Sequence, residues 1–294
     1  MLFGSVLVLI TLALLGLVLG SFAGATVWRL RARQLRLDAA AGEKAAKAER
    51  RQVEKLEKRP LSKDRSVCLH CGHPLGWRDL IPLVSWLSLR GKCRYCHKAI
   101  GRFEPLMELG LATFFVVSYA FWPVALAQPV DVLQFAIWLV AGFGLAILFA
   151  YDAKWFLLPN VVTFPLIGLG AFNAVLVVTT SPIPVAALFS VLMSCVVLSG
   201  LYYVIYVLSR HQWVGFGDVK LGLALALLLA NWQLAVIALF LANLVGTLVF
   251  LPQMLTGTMK RHSHIPFGPL LIIGWALAGI FGMQLLQWYV GIVL

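Results

Sequence analysis

The sequence predicts an all-α polytopic membrane protein with about eight transmembrane helices and one small polar domain. The chain has 294 residues, of which 61% are hydrophobic and 12% are charged, and its mean hydropathy is +0.90. Soluble globular proteins are about 45–50% apolar and about 25% charged. This composition excludes a water-soluble enzyme, a disordered chain and a disulfide-stapled secreted domain.

The membrane spans are predicted from apolar stretches of about 20 residues, the length that crosses a ~30 Å hydrocarbon layer. The stretch from Val219 to Leu255 would be about 55 Å long as one helix, nearly twice one crossing. The polar interruption Asn231-Trp232-Gln233 predicts a turn, so we interpret this stretch as two spans, with a single span as the alternative. The predicted spans are 3–27, 105–127, 132–151, 160–180, 184–208, 219–231, 233–255 and 267–290.

The basic residues indicate the orientation of these spans. All but five of the 24 Lys and Arg residues lie between Arg29 and Arg102, and the five are Lys154, Arg210, Lys220, Lys260 and Arg261. With eight spans and residue 1 outside, all 24 fall in or beside cytoplasmic segments, as the positive-inside rule requires. This topology places Asp152 and Asp218 at cytoplasmic ends of spans, and Asp131 outside.

The N-terminal third divides into three predicted segments. Residues 1–28 form the first transmembrane helix, because a cleaved signal peptide would need a basic N-terminus and a shorter apolar run. Residues 29–66 form a basic cytoplasmic arm whose composition favours a helix lying on anionic headgroups. The arm lacks the interleaved aromatic residues typical of nucleic-acid binding, so we expect no nucleic-acid partner. A cytoplasmic domain over 67–104 follows, and 105–294 is predicted to be a seven-helix membrane catalytic domain.

Two CxxC pairs predict a structural zinc site in the 67–104 domain. Two such turns, 21 residues apart, offer four thiolates to one ion, as in a zinc ribbon, and this spacing accommodates a short β-hairpin. A redox dithiol or free thiols are the alternatives, although disulfides rarely persist in the cytosol. The neighbouring His70, His73 and His97 are interpreted as surface or supporting groups, and Cys195 as a buried apolar residue. The predicted ligands are Cys68, Cys71, Cys93 and Cys96.

Three acidic residues stand out by their scarcity after residue 109: Asp131, Asp152 and Asp218. Acidic residues in membrane segments are functional candidates. Helix N-capping explains Asp131. Asp152 ends an apolar helix, where an acid opposes the helix dipole, so its position needs another reason; an ion pair with Lys154 is the alternative.

Asp218 lies at the start of a span, in Gly215-Phe216-Gly217-Asp218. N-capping is an alternative here too, but it requires neither glycine. Two glycines permit unusual backbone angles and close approach of another chain. Two carboxylates held together on one membrane face share a proton, so that one can deprotonate water while the other protonates a peptide carbonyl. We therefore expect Asp152 and Asp218 to form a catalytic pair.

Taken together, these motifs resemble those of the type IV prepilin peptidases, the bacterial inner-membrane aspartic proteases of pilus and type II secretion systems. The resemblance covers nearly the whole chain. It rests on these segments: Gly20-Ser21-Phe22, the paired CxxC domain with Ile81-Pro82-Leu83-Val84-Ser85-Trp86, Tyr151-Asp152 with Leu158-Pro159, Gly215-Phe216-Gly217-Asp218-Val219-Lys220-Leu221, and Ile265-Pro266-Phe267-Gly268-Pro269.

The resemblance implies a specific activity, and the sequence departs from the family pattern in three places. It implies cleavage of a short basic leader from prepilins or pseudopilins at the cytoplasmic face, and N-methylation of the new N-terminus with S-adenosylmethionine. Asp152 and Asp218 match the two catalytic positions of the family. Ala23-Gly24 stand where the family has an aliphatic residue and Asn, and Asn160 replaces the acid of its Leu-Pro-Asp. The polar stretch 34–64 is also longer than usual.

Two functions of other classes are the alternatives. A proton-coupled transporter also keeps rare membrane acids, but near the bilayer midplane on broken helices. A non-catalytic, zinc-stabilised assembly factor would explain the cysteine domain but not the two acids at one membrane face.

Overall fold

The computed structural model describes residues 2–42, 53, 56, 65–256 and 266–293. Most of the predicted basic arm, as well as Lys260, Arg261 and Ile265, lies outside these residues. The described part of the chain contains eight long helices. They are α1 Leu2–Ala40, α2 Phe103–Ala120, α3 Pro129–Trp155, α4 Asn160–Thr180, α5 Pro184–Leu208, α6 Phe216–Leu229, α7 Trp232–Leu255 and α8 Phe267–Val293.

Seven of these helices are long and apolar enough to cross a membrane, which confirms the predicted all-helical membrane class. The exception is α6, whose 14 residues span about 21 Å. The predicted separation of α6 from α7 is correct. Ala230 ends α6 in the left-handed conformation, and the Asn231 side chain then caps α7 by accepting hydrogen bonds from the N–H groups of Gln233 (2.9 Å) and Leu234 (3.1 Å).

Helix α1 is longer than the predicted first span. It continues through Ala40, so its 39 residues reach about 58 Å. Residues 29–40 contain no Gly or Pro and consist largely of Arg, Leu, Ala and Gln, which are good helix formers. The first part of the predicted arm is therefore a continuation of α1.

The chain forms two compact units, Met1–Ala120 and Phe121–Leu294. Helix α2, which the sequence analysis grouped with the catalytic helices, therefore belongs to the first unit. It packs closely on α1, because a Cβ atom at Gly16 or Gly20 would lie 2.5 Å from the Cα atom of Ala112 or Glu108. Small residues that let two backbones approach are the usual basis of helix association in membranes.

Within the first unit, residues 65–102 form a small domain around the four cysteines. Two isolated β-bridges, Val67 with Pro74 and Lys92 with Ala99, bracket the two CxxC pairs. Between the pairs the chain forms a 3₁₀ turn over Trp77–Asp79 and a short helix over Val84–Ser88. The spacing between the pairs would accommodate a short β-hairpin, but the chain forms helical turns there.

In the second unit, helix α6 is largely buried by its neighbours. Its apolar residues Val219, Leu221, Leu225 and Leu228 are buried. Helix α5 contains one π-helical turn, Val196–Gly200, where it meets α6. There the Ser199 hydroxyl donates a 3.0 Å hydrogen bond to the Val219 carbonyl, and a Cβ at Gly222 would lie 2.3 Å from the Leu198 carbonyl oxygen.

Candidate active site and candidate metal centre

Asp152 lies in the last turn of α3 and is 5% exposed. Its Oδ2 accepts a 3.1 Å hydrogen bond from the Gly268 N–H, which belongs to the first turn of α8. The first N–H groups of a helix have no intrahelical partner and carry the positive end of the helix dipole. The start of α8 therefore compensates the acid for its unfavourable position at the end of α3.

Gly268 leaves no room for a side chain at this contact. A Cβ atom there would lie 2.7 Å from Asp152 Oδ2 and 3.5 Å from Leu221 Cδ2. Gly268 belongs to one of the motifs found in the sequence, but this contact with Asp152 was not predicted. The available signal was a glycine in the first turn of an apolar helix, where no turn requires one.

Asp218 lies in the first turn of α6 and is partly exposed. Its Oδ2 accepts a 3.3 Å hydrogen bond from the Gly215 N–H. The expectation of unusual backbone angles at the two glycines is wrong, because neither has a positive φ and Gly215 has φ −77°. The expectation of close approach is correct for Gly217, whose Cβ would lie 3.3 Å from the Leu158 side chain.

The structure brings Asp152 and Asp218 together at one end of the second unit. Their carboxylates are close enough to interact electrostatically, although 66 residues separate them in the sequence. Repulsion between two such groups disfavours ionising both, which favours one shared proton. Tyr202 of α5 is close enough to Asp218 to interact with it electrostatically. The Tyr202 ring packs edge-on against Phe267, with 5.8 Å between the ring centroids.

The Lys154 amino group lies over the ring of Trp155, while the Asp152 carboxylate contacts the start of α8. The distance from Lys154 Nζ to the centre of that ring is 5.7 Å, and the hydrogen bond to Asp152 comes from the Gly268 N–H. The contact that the structure shows for the Asp152 carboxylate is therefore the one with α8, and the ion pair with Lys154 stays an alternative.

Asp131 caps helix α3, as the sequence predicts, but from the third position of the helix. Its Oδ2 accepts a 3.0 Å hydrogen bond from the N–H of Gln128, the N-cap residue. Asp218 stands in the same local relation to Gly215. The two residues thus share one capping geometry, and only Asp218 has a second carboxylate beside it.

In the first unit, the four predicted cysteines converge on one point. Their sulfur atoms lie within 4.8 Å of one another and could hold a metal ion, and the Cys68 and Cys96 sulfurs are 3.9 Å apart. In a tetrahedral zinc site with bonds of about 2.3 Å, neighbouring sulfurs are about 3.8 Å apart. The cluster therefore fits a zinc ion.

The two CxxC turns are structural copies of each other. Cys68 N–H bonds the His73 carbonyl at 3.0 Å, and Cys93 N–H bonds the Lys98 carbonyl at 2.9 Å. The residue after the second cysteine takes a positive φ in both turns, 75° at Gly72 and 56° at His97. Burial raises the pKa of the Cys93 thiol, but hydrogen bonds from the N–H groups of Cys96 and Tyr95 and from the thiols of Cys68 and Cys96 together outweigh burial and lower that pKa to about 7.

Asp79 ties the second CxxC turn to the 3₁₀ turn before it. Its carboxylate accepts hydrogen bonds from Arg94 Nε (2.7 Å) and the Tyr95 hydroxyl (3.1 Å). Burial raises the pKa of Asp79, but these donors and the Gly76 N–H outweigh it and hold the pKa below its usual value. Two of the three histidines near the cluster have other partners, since His70 bonds the Ala99 carbonyl and the centroid of the His73 ring lies 3.7 Å from that of Tyr95.

Comparisons with known proteins give the same division of the chain. Residues 14–122 match the model of the bacterial peptidase A24 N-terminal domain, and residues 139–251 match that of the type IV leader peptidase family. The chain belongs to the type IV leader peptidase family. This confirms the resemblance found in the sequence, and the match favours neither a transporter nor a non-catalytic assembly factor.

Curated relatives match this leader peptidase over almost its whole length. A protein of Pseudomonas aeruginosa named prepilin leader peptidase/N-methyltransferase is 32% identical over 94% of this chain and 91% of its own. Proteins of the same name from Aeromonas salmonicida and Dickeya chrysanthemi are each 32% identical, over 96% and 92% of this chain and 93% and 91% of their own. No solved structure matches the chain significantly.

Two of the three departures from the family pattern lie in described parts of this leader peptidase, and their contacts are visible. Asn160 accepts a hydrogen bond from Lys220 Nζ, so the amide still provides an oxygen for this cation. Ala23 is fully buried, and a Cβ at Gly24 would lie 3.8 Å from the Met107 side chain. Small residues at these two positions belong to the close packing of α1 on α2.

Proposed function

We propose that this chain is an aspartic endopeptidase that removes the short basic leader of type IV prepilins or pseudopilins. Asp152 and Asp218 are its catalytic residues. The observation that supports this most strongly is the convergence of two helix termini on a buried acid, with a second acid within its field. The names of the relatives supply the substrate class.

The proposed reaction uses the two carboxylates as one acid and one base. The ionised carboxylate removes a proton from water, whose oxygen attacks the scissile carbonyl, while the protonated carboxyl donates its proton to the carbonyl oxygen. Asp152 is buried and one of its oxygens is bonded by Gly268, whereas Asp218 is partly exposed.

The decisive experiment compares Asp152→Asn and Asp218→Asn with Asp131→Asn. Purified protein in detergent is incubated with a prepilin-like peptide, and the products are identified by mass spectrometry. Each of the first two variants should lose cleavage by about 1,000-fold or more, and the double variant should be no worse, because members of one catalytic unit are not additive. Asp131→Asn should stay active, since Asn caps a helix as well as Asp does.

Asp131 is a matched control because it has the same capping geometry as Asp218. A folded Asp218→Asn variant that still cleaves at more than a few per cent of the wild-type rate would refute the catalytic pair. Equal losses for Lys154→Ala and Asp152→Asn would instead favour the ion-pair interpretation of Asp152.

We further propose that the four cysteines hold one structural zinc ion. Four thiolates close the coordination shell, so the ion stabilises the small domain and does not activate water. Metal analysis of reduced, folded protein should find about one zinc per chain. Less than about half an equivalent in folded protein would contradict this assignment.

Methylation of the new N-terminus is the second proposed activity, and it requires S-adenosylmethionine. This cofactor supplies an electrophilic methyl group on a positively charged sulfonium. The first unit contains a cavity of about 190 Å³ whose lining includes Trp28, Arg29, Glu104 and Glu108. An indole ring can bind the positively charged sulfonium of the cofactor, and carboxylates can accept hydrogen bonds from its hydroxyl groups. A guanidinium can pair with the carboxylate of the cofactor.

The Glu104 side chain is fixed within this cavity, because its Oε1 accepts a 3.2 Å hydrogen bond from the Trp28 indole. Glu104→Gln keeps that acceptor but removes the charge. Equilibrium dialysis with labelled S-adenosylmethionine should show binding weakened by about tenfold, while leader cleavage stays at the wild-type rate. Unchanged binding would exclude this cavity as the cofactor site, without affecting the proposal for cleavage.

We propose that the protein lies in the bacterial inner membrane with the aspartate pair facing the cytoplasm. The distribution of basic residues along the chain supports this orientation. Cysteines introduced at Gln128 and Ser181 should react with an impermeant reagent from outside, and one at Ser263 should not. Outside labelling at Ser263, which lies beyond the described residues, would require an even number of crossings between Ser181 and Ser263, as when the sixth and seventh predicted spans form one span.

A further inference from the structure

The segment Trp77–Ser88 of the cysteine domain exposes a row of large apolar side chains. Trp77 is 71% exposed, Val84 58% and Leu87 64%, and Ile81 is also exposed. These four residues, hereafter the outer face, belong to the 3₁₀ turn, to the bend that follows it and to the short helix Val84–Ser88. A contiguous exposed apolar patch on a folded domain marks a contact with another molecule or a membrane.

The opposite face of the same segment is used inside the unit. Asp79, Ser85 and Trp86 line the cavity described above, and the outer face does not. The Trp86 indole donates a 2.7 Å hydrogen bond to the Gly101 carbonyl. The segment is therefore held in a fixed rotation, with its outer face directed away from the cavity.

A hydrogen bond fixes the depth of the segment relative to α2. The Leu83 N–H donates a 2.7 Å bond to Oε2 of Glu108, which lies five residues after Phe103, the first residue of α2. That is about 8 Å along the helix axis. Helix α2 has 18 residues and is about 27 Å long, close to the ~30 Å hydrocarbon thickness. Glu108 and the bonded segment thus lie about 8 Å from the start of α2, within the depth of about 5–10 Å at which an amphipathic segment buries its apolar face in the membrane interface.

The charge of the domain suits an anionic surface. Its only acid between residues 65 and 102 is Asp79, which is bonded by Arg94. The Arg78 guanidinium lies 5.2 Å from the centre of the Trp77 ring. Tryptophan together with arginine is typical of side chains at headgroup level. The basic residues of this range are Arg65, Arg78, Arg90, Lys92, Arg94, Lys98 and Arg102.

We propose that the segment Trp77–Ser88 is a membrane anchor whose outer face inserts into the interface of an anionic phospholipid bilayer. An amphipathic segment with an apolar face and basic flanks binds in this way. The anchor holds the cysteine domain against the bilayer at the end of α2. This inference depends on α2 crossing the membrane and not on the catalytic assignment.

Photo-crosslinking in nanodiscs of phosphatidylglycerol and phosphatidylethanolamine tests this proposal. The photoreactive residue p-benzoylphenylalanine replaces either Trp77 or Leu87, with one substitution in each protein. The reference positions are Leu109, an exposed apolar residue of α2, and Lys98, an exposed residue of the second CxxC turn. Mass spectrometry should find lipid adducts at 77 and 87 within about threefold of those at 109, and about tenfold more than at 98.

Two outcomes would overturn the proposal. Lipid adducts at 77 and 87 no more frequent than at 98 would place the outer face in water. Crosslinks from 77 and 87 to a second copy of the chain would identify the face as a subunit contact. Zinc content is measured for each variant to show whether the cysteine domain is folded. If a variant lacks zinc, the label is placed at Val84 instead.

Discussion

The four-cysteine cluster and the aspartate pair are assembled in opposite ways. Each CxxC turn is shaped by backbone hydrogen bonds between residues at most nine positions apart. The contact between Gly268 and Asp152, in contrast, joins residues 116 positions apart, and it requires α3, α6 and α8 to pack correctly. A metal site can be encoded by local spacing, whereas this acid pair depends on long-range helix packing.

The largest expected difference between the two sites comes from Gly268→Ala. A methyl group there would meet Asp152 Oδ2 at 2.7 Å, so the carboxylate has to leave the α8 N-terminus. Displacing a reacting group by about 1 Å can cost about 100-fold in rate. Cleavage of the prepilin-like peptide should fall by about this factor, and zinc content should stay unchanged.

Gly291→Ala is the matched control for this variant. Gly291 lies on the same helix, and a Cβ there would meet nothing within 4 Å. Its cleavage rate should equal that of the wild type. If Gly268→Ala cleaves as fast as Gly291→Ala, the contact with Asp152 has no role in catalysis.

Cys93→Ser should affect the other site. Loss of one thiolate weakens metal binding, and folding of a small metal domain is coupled to that binding. The purified variant should contain little zinc, and limited proteolysis should cut it within 65–102. Cleavage activity should persist in part, because no cysteine of the cluster belongs to the second unit. Complete loss of cleavage in a zinc-free but otherwise folded variant would show that the two sites are coupled.

The smallest expected effect is a difference in zinc retention between variants of the two CxxC turns. Gly72→Ala places a side chain at φ 75°, which costs about 1–2 kcal/mol. His97→Gly removes a side chain from φ 56°. This relieves backbone strain in the folded state but increases the entropy of the unfolded chain, so the two effects on stability nearly cancel. Chelator competition should show weaker zinc retention for Gly72→Ala than for His97→Gly. The reverse order would mean that the two turns are not equivalent.

The sequence was sufficient to predict the cysteine cluster and the identity of the two acids. Spacing alone brings Cys68 and Cys71 together. Scarcity singles out three acids, and predicted location on one membrane face separates Asp152 and Asp218 from Asp131. Asn231 also predicted the break between α6 and α7. For the cysteines and for Asn231 the signal lies within a few residues of the feature it predicts.

The sequence did not predict the partner of Asp152 or the limits of α1. Gly268 acts through its backbone N–H and its missing side chain, and neither property is visible without the packing of α8 on α3. The polarity of residues 29–40 predicted the end of a membrane span but not of a helix, since good helix formers continue α1 into water. Membrane boundaries and helix boundaries are set by different physical terms.

The π turn in α5 has a consequence for the alignment of homologous chains. A π turn holds one more residue than an α turn, so everything after Gly200 is rotated by about 100° relative to an unbroken helix. Tyr202 owes its place in the field of Asp218 to this extra residue. A homologue with an unbroken helix should align with a one-residue gap within 196–200. Its residue equivalent to Tyr202 is then found by counting backwards from the loop that follows the helix, and not forwards from Pro184.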